Sequence, residues 1–176
     1  MQLDPLLTLI AAICLSALFA TAALHKWREP LHFEGVLGQY KLLPRKWVGV
    51  TAKTIPYFEL IIALLLLINL SRTLAAIMAL LTLSVYSLAI AINLSRGRRE
   101  IDCGCGGQAT QLSSTLIWRN LCLLSIATAA LVPNSPRVLS SLDLVVALIG
   151  AAAFGLCYIS WNQLLANHSY KQKVWK

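Results

Sequence analysis

The chain has 176 residues, 58% of them hydrophobic and only 12% charged, with a mean hydropathy of +0.71. A water-soluble domain of this length carries roughly 25% charged residues to face its solvent, so a single soluble globule is excluded. The formal net charge is +8, but the cations lie in the gaps between apolar runs, as topogenic charge does, and nucleic-acid binding is not expected.

Leu6 to Leu24 is an unbroken apolar stretch of 19 residues, enough to cross a hydrocarbon core of roughly 30 Å at about 1.5 Å per residue. Ala20-Thr21-Ala22 resembles a signal-peptide cleavage site, but the residues before the stretch, Met1 to Pro5, lack the Lys or Arg that a signal peptide starts with. A retained helix over 6–24 is expected. Residues 25–53 turn polar and aromatic, with breakers at Pro30, Gly35, Gly38 and Pro44. Rings mixed with cations suit the headgroup region, so this stretch is expected at the membrane interface. Residues 55–70 form the second expected span, which Val48 to Thr54 extends if they are helical. Residues 73–94 form the third. A polar, glycine-rich loop over 95–111 follows, then a fourth span over 112–132 that Pro133-Asn134-Ser135-Pro136 ends. A fifth span over 140–165 leads into a basic tail, 166–176. The expected fold class is all-α: one polytopic membrane domain with about five transmembrane helices.

Lys and Arg are unevenly placed along this sequence. Six lie between the first two spans (Lys26, Arg28, Lys41, Arg45, Lys46, Lys53), three in the glycine-rich loop and three in the tail. The opposite side has only Arg72 and Arg137, and Arg119 lies within the fourth span. Twelve against two, with positive charge kept in the cytoplasm, puts the N-terminus outside and the C-terminus and glycine-rich loop inside, given an odd number of spans.

Of the five cysteines, Cys14, Cys122 and Cys157 stand alone in apolar spans, where a lone thiol is ordinarily a small apolar filler. Cys103 and Cys105 differ, because they flank Gly104 within Asp102-Cys103-Gly104-Cys105-Gly106-Gly107. Two residues of extended chain reach at most about 7 Å, which includes the roughly 4.4–6.8 Å between α-carbons that a disulfide needs. The ring would be tight, with Gly104 taking angles that a Cβ resists, and strain favours exchange over structural stapling. Arg96, Arg98, Arg99 and the start of the next helix near Ser113 or Ser114 favour thiolate, the attacking species, while Asp102 opposes it. The blander alternative is a flexible loop with two incidental thiols. Two thiolates also bind zinc or copper(I), but further ligands are then needed, and His25, His32 and His168 lie far off in sequence.

Two ionisable residues enter apolar runs. Glu59 heads Leu60 to Ile68, and a structural pairing with Lys26 or Arg28 is expected ahead of catalysis. Arg119 is expected to snorkel or to join an internal ion pair.

Taken together, Ala23-Leu24-His25-Lys26-Trp27, Phe33, Tyr40-Lys41-Leu42-Leu43-Pro44, Pro56 and Glu59 resemble the DoxX-like membrane proteins, whose fold has a four-helix core. Asp102-Cys103-Gly104-Cys105-Gly106 resembles the methylamine utilisation protein MauE branch of that group, although Gly106 and Gly107 stand where an aromatic is expected after the pair. The resemblance covers about Ala17 to Trp118. It implies an accessory role in the bacterial inner membrane: maturation of the disulfide-dense small subunit of methylamine dehydrogenase, alongside a thioredoxin-like partner of the MauD type. Only Cys103 and Cys105 carry over as a redox pair. No cofactor is implied for this chain, since the tryptophan-derived quinone belongs to the client. The alternatives are a non-enzymatic scaffold subunit and a small transporter of thiophilic metal.

Overall fold

A computed structural model describes residues 3–104, 110–132, 137 and 139–174. Among these the chain is all-helical apart from one isolated bridge. The helices are α1 (Pro5–Arg28), α2 (Pro30–Tyr40), α3 (Arg45–Leu67), α4 (Arg72–Ser95), α5 (Ser114–Ala129) and α6 (Ser141–Val174), with a 3₁₀ turn at Asn69–Ser71.

Local sequence sets the ends. Asp4 caps α1 by accepting from the Leu6 amide at 2.9 Å, and Pro5 occupies the first helical position, where its missing N–H is no loss. Pro30 starts α2 in the same way, and Lys41 ends it in the left-handed region. Gly97, at φ +73°, follows the last turn of α4. Pro56 is accommodated inside α3, which runs through it.

Four helices are long and apolar enough to cross a bilayer: α1, α3, α4 with its preceding turn, and residues Ser141–Leu164 of α6. At 16 residues α5 is shorter, about 24 Å at 1.5 Å per residue. The interfacial segment expected over 25–53 is divided among three helices. α1 runs on to Arg28, α2 is a separate short helix, and α3 begins at Arg45, ten residues ahead of Ile55. α6 likewise continues into the basic tail as far as Val174.

α1 is the hub. It packs mainly against α3 and also against α5 and α6, while α4 lies against α3 and α5. Lipid gives apolar helices little reason to associate, so small residues that let backbones approach become the contact surface. Ala12, Ala23, Ala75, Ala76 and Ala79 are fully buried, and Ser16 donates to the Ala63 carbonyl across the α1–α3 interface at 2.8 Å. Leu64, Leu74, Leu81, Val85 and Leu88 point outward, as a lipid-facing surface requires.

The chain's alternating traverses give the bundle two ends. At one, Arg137 donates to Asp4 at 2.7 Å and to Asp143, joining the start of α6 to the start of α1; those bonds, Asp143's first, raise the guanidinium's pKa further. The other end holds α2 and the cysteine loop.

Candidate functional site

The cysteine loop is pinned at its base. Cys103 N–H donates to the Thr110 carbonyl at 2.9 Å, Leu112 N–H donates to the Ile101 carbonyl at 3.0 Å, and Asp102 bridges antiparallel to Gln111. Asp102 also organises the turn with its side chain. Its Oδ1 accepts from the Gly104 amide at 3.3 Å and the Thr110 amide at 3.2 Å, while Oδ2 lies 3.3 Å from His32 Nε2 on α2. Cys103 is half-buried in this frame. Cys105, the other half of the expected redox pair, lies outside the described residues.

Gly104 adopts φ +65°, which L side chains resist, and a Cβ there would lie 2.9 Å from Val36 Cγ1 and 3.7 Å from the Phe33 ring. Glycine is therefore needed twice over, for the backbone angle and for the approach of α2. Tyr40, at the end of α2, donates its hydroxyl to the Cys103 carbonyl at 3.1 Å. Arg98 reaches the Gln39 carbonyl at 3.5 Å, tying the start of the loop to the same helix, whereas Arg96 and Arg99 are exposed.

Beneath α2 lies a buried charge cluster. Lys26 Nζ donates to both oxygens of Glu59, at 2.7 and 2.8 Å, and the Tyr86 hydroxyl donates to Oε1 at 2.7 Å. Glu59 is 0% exposed and Lys26 5%. The ammonium also sits 5.2 Å from the Phe33 ring centre and 5.6 Å from that of Tyr86, within cation–π range. α1, α3 and α4 each supply one member, so of the two partners expected for Glu59, Lys26 or Arg28, it is Lys26 that is found, with Tyr86 beside it. Nothing in the sequence around Tyr86 marked it. Its position 27 residues after Glu59 acquires meaning only once α3 and α4 pack.

Arg119 neither reaches the bundle's surface nor needs to. It is 8% exposed, with Nη1 donating to Asn162 at 3.1 Å, Nη2 donating to Asn120 at 3.3 Å, and the Tyr158 ring centre 5.9 Å away. Of the two expectations for it, snorkelling or an internal ion pair, snorkelling is not found, and the guanidinium donates to side-chain amides on α5 and α6. Sequence distance also misled for the histidines: His32 meets Asp102, and His25 shares a cavity lining with Cys103. Even so, among the described residues no three His, Cys, Asp or Glu side chains converge as a metal-binding group. Cys14 is buried, and Cys122 and Cys157 face outward from α5 and α6.

The arrangement is that of a half-buried thiol at the hydrogen-bonded base of a loop, clamped by a short helix that rests on a buried ion pair. Lys26, Phe33, Tyr40 and Glu59, scattered over three helices, all belong to this one assembly.

Most of the chain's length matches known proteins. The family model described as "Methylamine utilisation protein MauE" matches residues 4–133. A methylamine utilization protein MauE from Methylophilus methylotrophus is 34% identical over 175 residues, covering 97% of this chain and 92% of the relative. Its counterpart from Paracoccus versutus is 36% identical over 165 residues, covering 92% and 88%. The one from Methylorubrum extorquens is 37% identical over 157 residues, covering 87% and 82%. No solved structure matches the chain. An apolar helical bundle, with these relatives matching along most of its length, leaves one assignment: the chain belongs to the MauE family of membrane proteins.

Proposed function

We propose that this protein serves methylamine utilisation as an inner-membrane accessory factor. It supports maturation of the methylamine dehydrogenase small subunit by thiol–disulfide exchange at Cys103 and Cys105 with a thioredoxin-like partner. The observation that carries this reading is the clamp on the cysteine loop. Tyr40 of α2 bonds to the Cys103 carbonyl, and Phe33 and Val36 pack close against Gly104 at one end of the bundle. The two thiols flank a glycine free to take the backbone angles that a tight ring between them needs, and such a ring favours exchange.

Exchange follows from thiolate attack. A Cys103 or Cys105 thiolate attacks a partner disulfide, a mixed disulfide forms, and the second thiolate of the pair displaces the partner and closes the Cys103–Cys105 bridge. The reverse sequence delivers the bridge to a reduced substrate. The test is the disulfide content of the client in cells carrying Cys103→Ser, Cys105→Ser or both. Each single change is expected to be as damaging as the double, with the membrane protein at normal abundance. Full client maturation with the double variant at native expression would assign the protein a scaffolding role instead.

A further inference from the structure

A cavity of about 440 Å³ opens between α1, α5 and α6. Along α1 its lining runs from Cys14 to His25, eleven residues or about 16 Å at 1.5 Å per residue. The cavity therefore starts midway through the bundle and ends at the cysteine loop, where Cys103 and Thr110 join the lining. Its chemistry is graded along that length. The inner part is walled by apolar groups such as Leu18, Ala151 and Phe154. At the loop end the groups are polar: His25, Arg119, Asn162 and Gln163.

Such a cavity fits a molecule with an apolar tail and a small, flat head that accepts hydrogen bonds. Arg119 presents only donors, is held in place by Asn162 and Asn120, and stands on the face of Tyr158. A fixed cation in low dielectric stabilises negative charge that develops on a bound oxygen acceptor as electrons arrive. Cys103 shares the lining with that cation. An inert lipid would make no use of a thiol at its polar end, but an electron acceptor would.

We propose that this cavity binds a membrane quinone, its head between Arg119 and Cys103 and its tail toward Cys14, and that the quinone reoxidises the cysteine pair. The proposal rests on the exchange function given above and supplies its oxidant. In the step the S–H bonds of Cys103 and Cys105 break and one S–S bond forms. The two electrons and two protons released pass to the two carbonyl oxygens of the quinone, which becomes the quinol. The disulfide so regenerated is then available to the partner.

The test uses the full chain in phosphatidylcholine nanodiscs with decylubiquinone as the probe. Binding is read by quenching of tryptophan fluorescence in the chain with its cysteine pair oxidised beforehand, so that it does not depend on exchange chemistry and Cys103 stays in the lining. Nothing lies within 4 Å of a Cβ built at Gly155, a lining residue, so Gly155→Leu adds bulk at the cavity wall from an open position. Gly35 on α2 is equally open and lies off the cavity, so Gly35→Leu is the control. Saturable binding is expected, weakened about tenfold or more by Gly155→Leu and by Arg119→Gln, and unchanged by Gly35→Leu. The reduced native chain is expected to convert one decylubiquinone per cysteine pair, and the Cys103→Ser chain none. Binding indifferent to both cavity variants would overturn the proposal, as would loss of binding when phosphatidylglycerol replaces phosphatidylcholine, which would mark a lipid-headgroup site. A reduced chain that exchanges with a thioredoxin-like disulfide yet leaves decylubiquinone oxidised would sink the quinone and leave the exchange function standing. A chain that binds decylubiquinone in the cavity but does neither reaction would sink both.

Discussion

Tyr40 and Cys103, 63 positions apart, are joined by a hydrogen bond from the tyrosine hydroxyl to the cysteine carbonyl at 3.1 Å. That bond fastens the end of α2 to the backbone of the thiol-bearing residue. Tyr40→Phe removes the hydroxyl and keeps the ring, so stability should fall by only about 1 kcal/mol. The loop, however, should move more freely. Maleimide labelling of Cys103 in membranes is expected to speed up several-fold at unchanged protein abundance. An unchanged labelling rate would show that the clamp does not govern access to the thiol.

Gly104 is the second control point. Gly104→Ala places a methyl 2.9 Å from Val36 Cγ1 and holds a Cβ at φ +65°, a conformation that disfavours L residues by roughly 1–2 kcal/mol. The variant should support less client disulfide formation while remaining in the membrane. Val36→Ala on top of it relieves the contact and not the backbone angle, so recovery should be partial. Full recovery would make the contact alone responsible, and no recovery would give the whole effect to the angle.

The Lys26–Glu59 pair predicts a different kind of failure. Glu59→Ala or Lys26→Ala leaves an unpaired charge inside the bundle, at a cost of about 3–5 kcal/mol. Removing both charges with Lys26→Met and Glu59→Leu leaves none. Single variants should therefore be poorly accumulated and melt early in detergent, with the double variant closer to the native protein. If the double variant were as damaged as the sum of the singles, the pair would act by more than neutralising itself.

How much of this was written in the sequence depends on how local the cause is. Apolar runs announced the helices, because lipid demands long, continuous stretches. Glu59 and Lys26 announced each other, because few partners exist for a charge in such a run. Gly104 announced a turn that no other residue makes easily. What escaped was everything set by helix packing. Tyr86 as third member of the cluster, His32 against Asp102, and the cavity uniting Arg119 with Cys103 all join residues from separate elements. Periodicity carries no record of which helix lies beside which. The helices inside residues 25–53 were hidden for a related reason. The cations and prolines there look like an irregular headgroup stretch, yet Pro30 and Pro44 stand just where helices begin, and proline tolerates that position well.

Orientation is open to a direct check. Twelve of the fifteen Lys and Arg residues fall in sequence segments 25–53, 95–111 and 166–176, and positive charge favours the cytoplasm. A reporter fused after Lys176 should read cytoplasmic, and one fused at Pro136 should read external. The reverse at both sites would either turn the whole bundle over or show that the short helix α5 does not cross, and a third reporter before Pro5 separates the two. Agreement at one site alone would leave both ends of α6 on the same side, so that α6 does not cross.

Exchange at Cys103 and Cys105 is the central claim, and trapping its intermediate tests it most directly. With one thiol replaced by Ser, the remaining one attacks a partner disulfide but has no neighbour to resolve the adduct. Membranes from cells carrying Cys103→Ser or Cys105→Ser are quenched in acid, alkylated, and run without reductant. Replacing Cys14, Cys122 or Cys157 in parallel provides the comparison, since those thiols fill or face the spans and should yield at most lower abundance. One of the two loop variants is expected to accumulate a reductant-sensitive adduct with a thioredoxin-like protein, and the adduct should vanish when both loop cysteines are Ser. Absence of any adduct from either variant, with both chains present at native abundance, would contradict the exchange function.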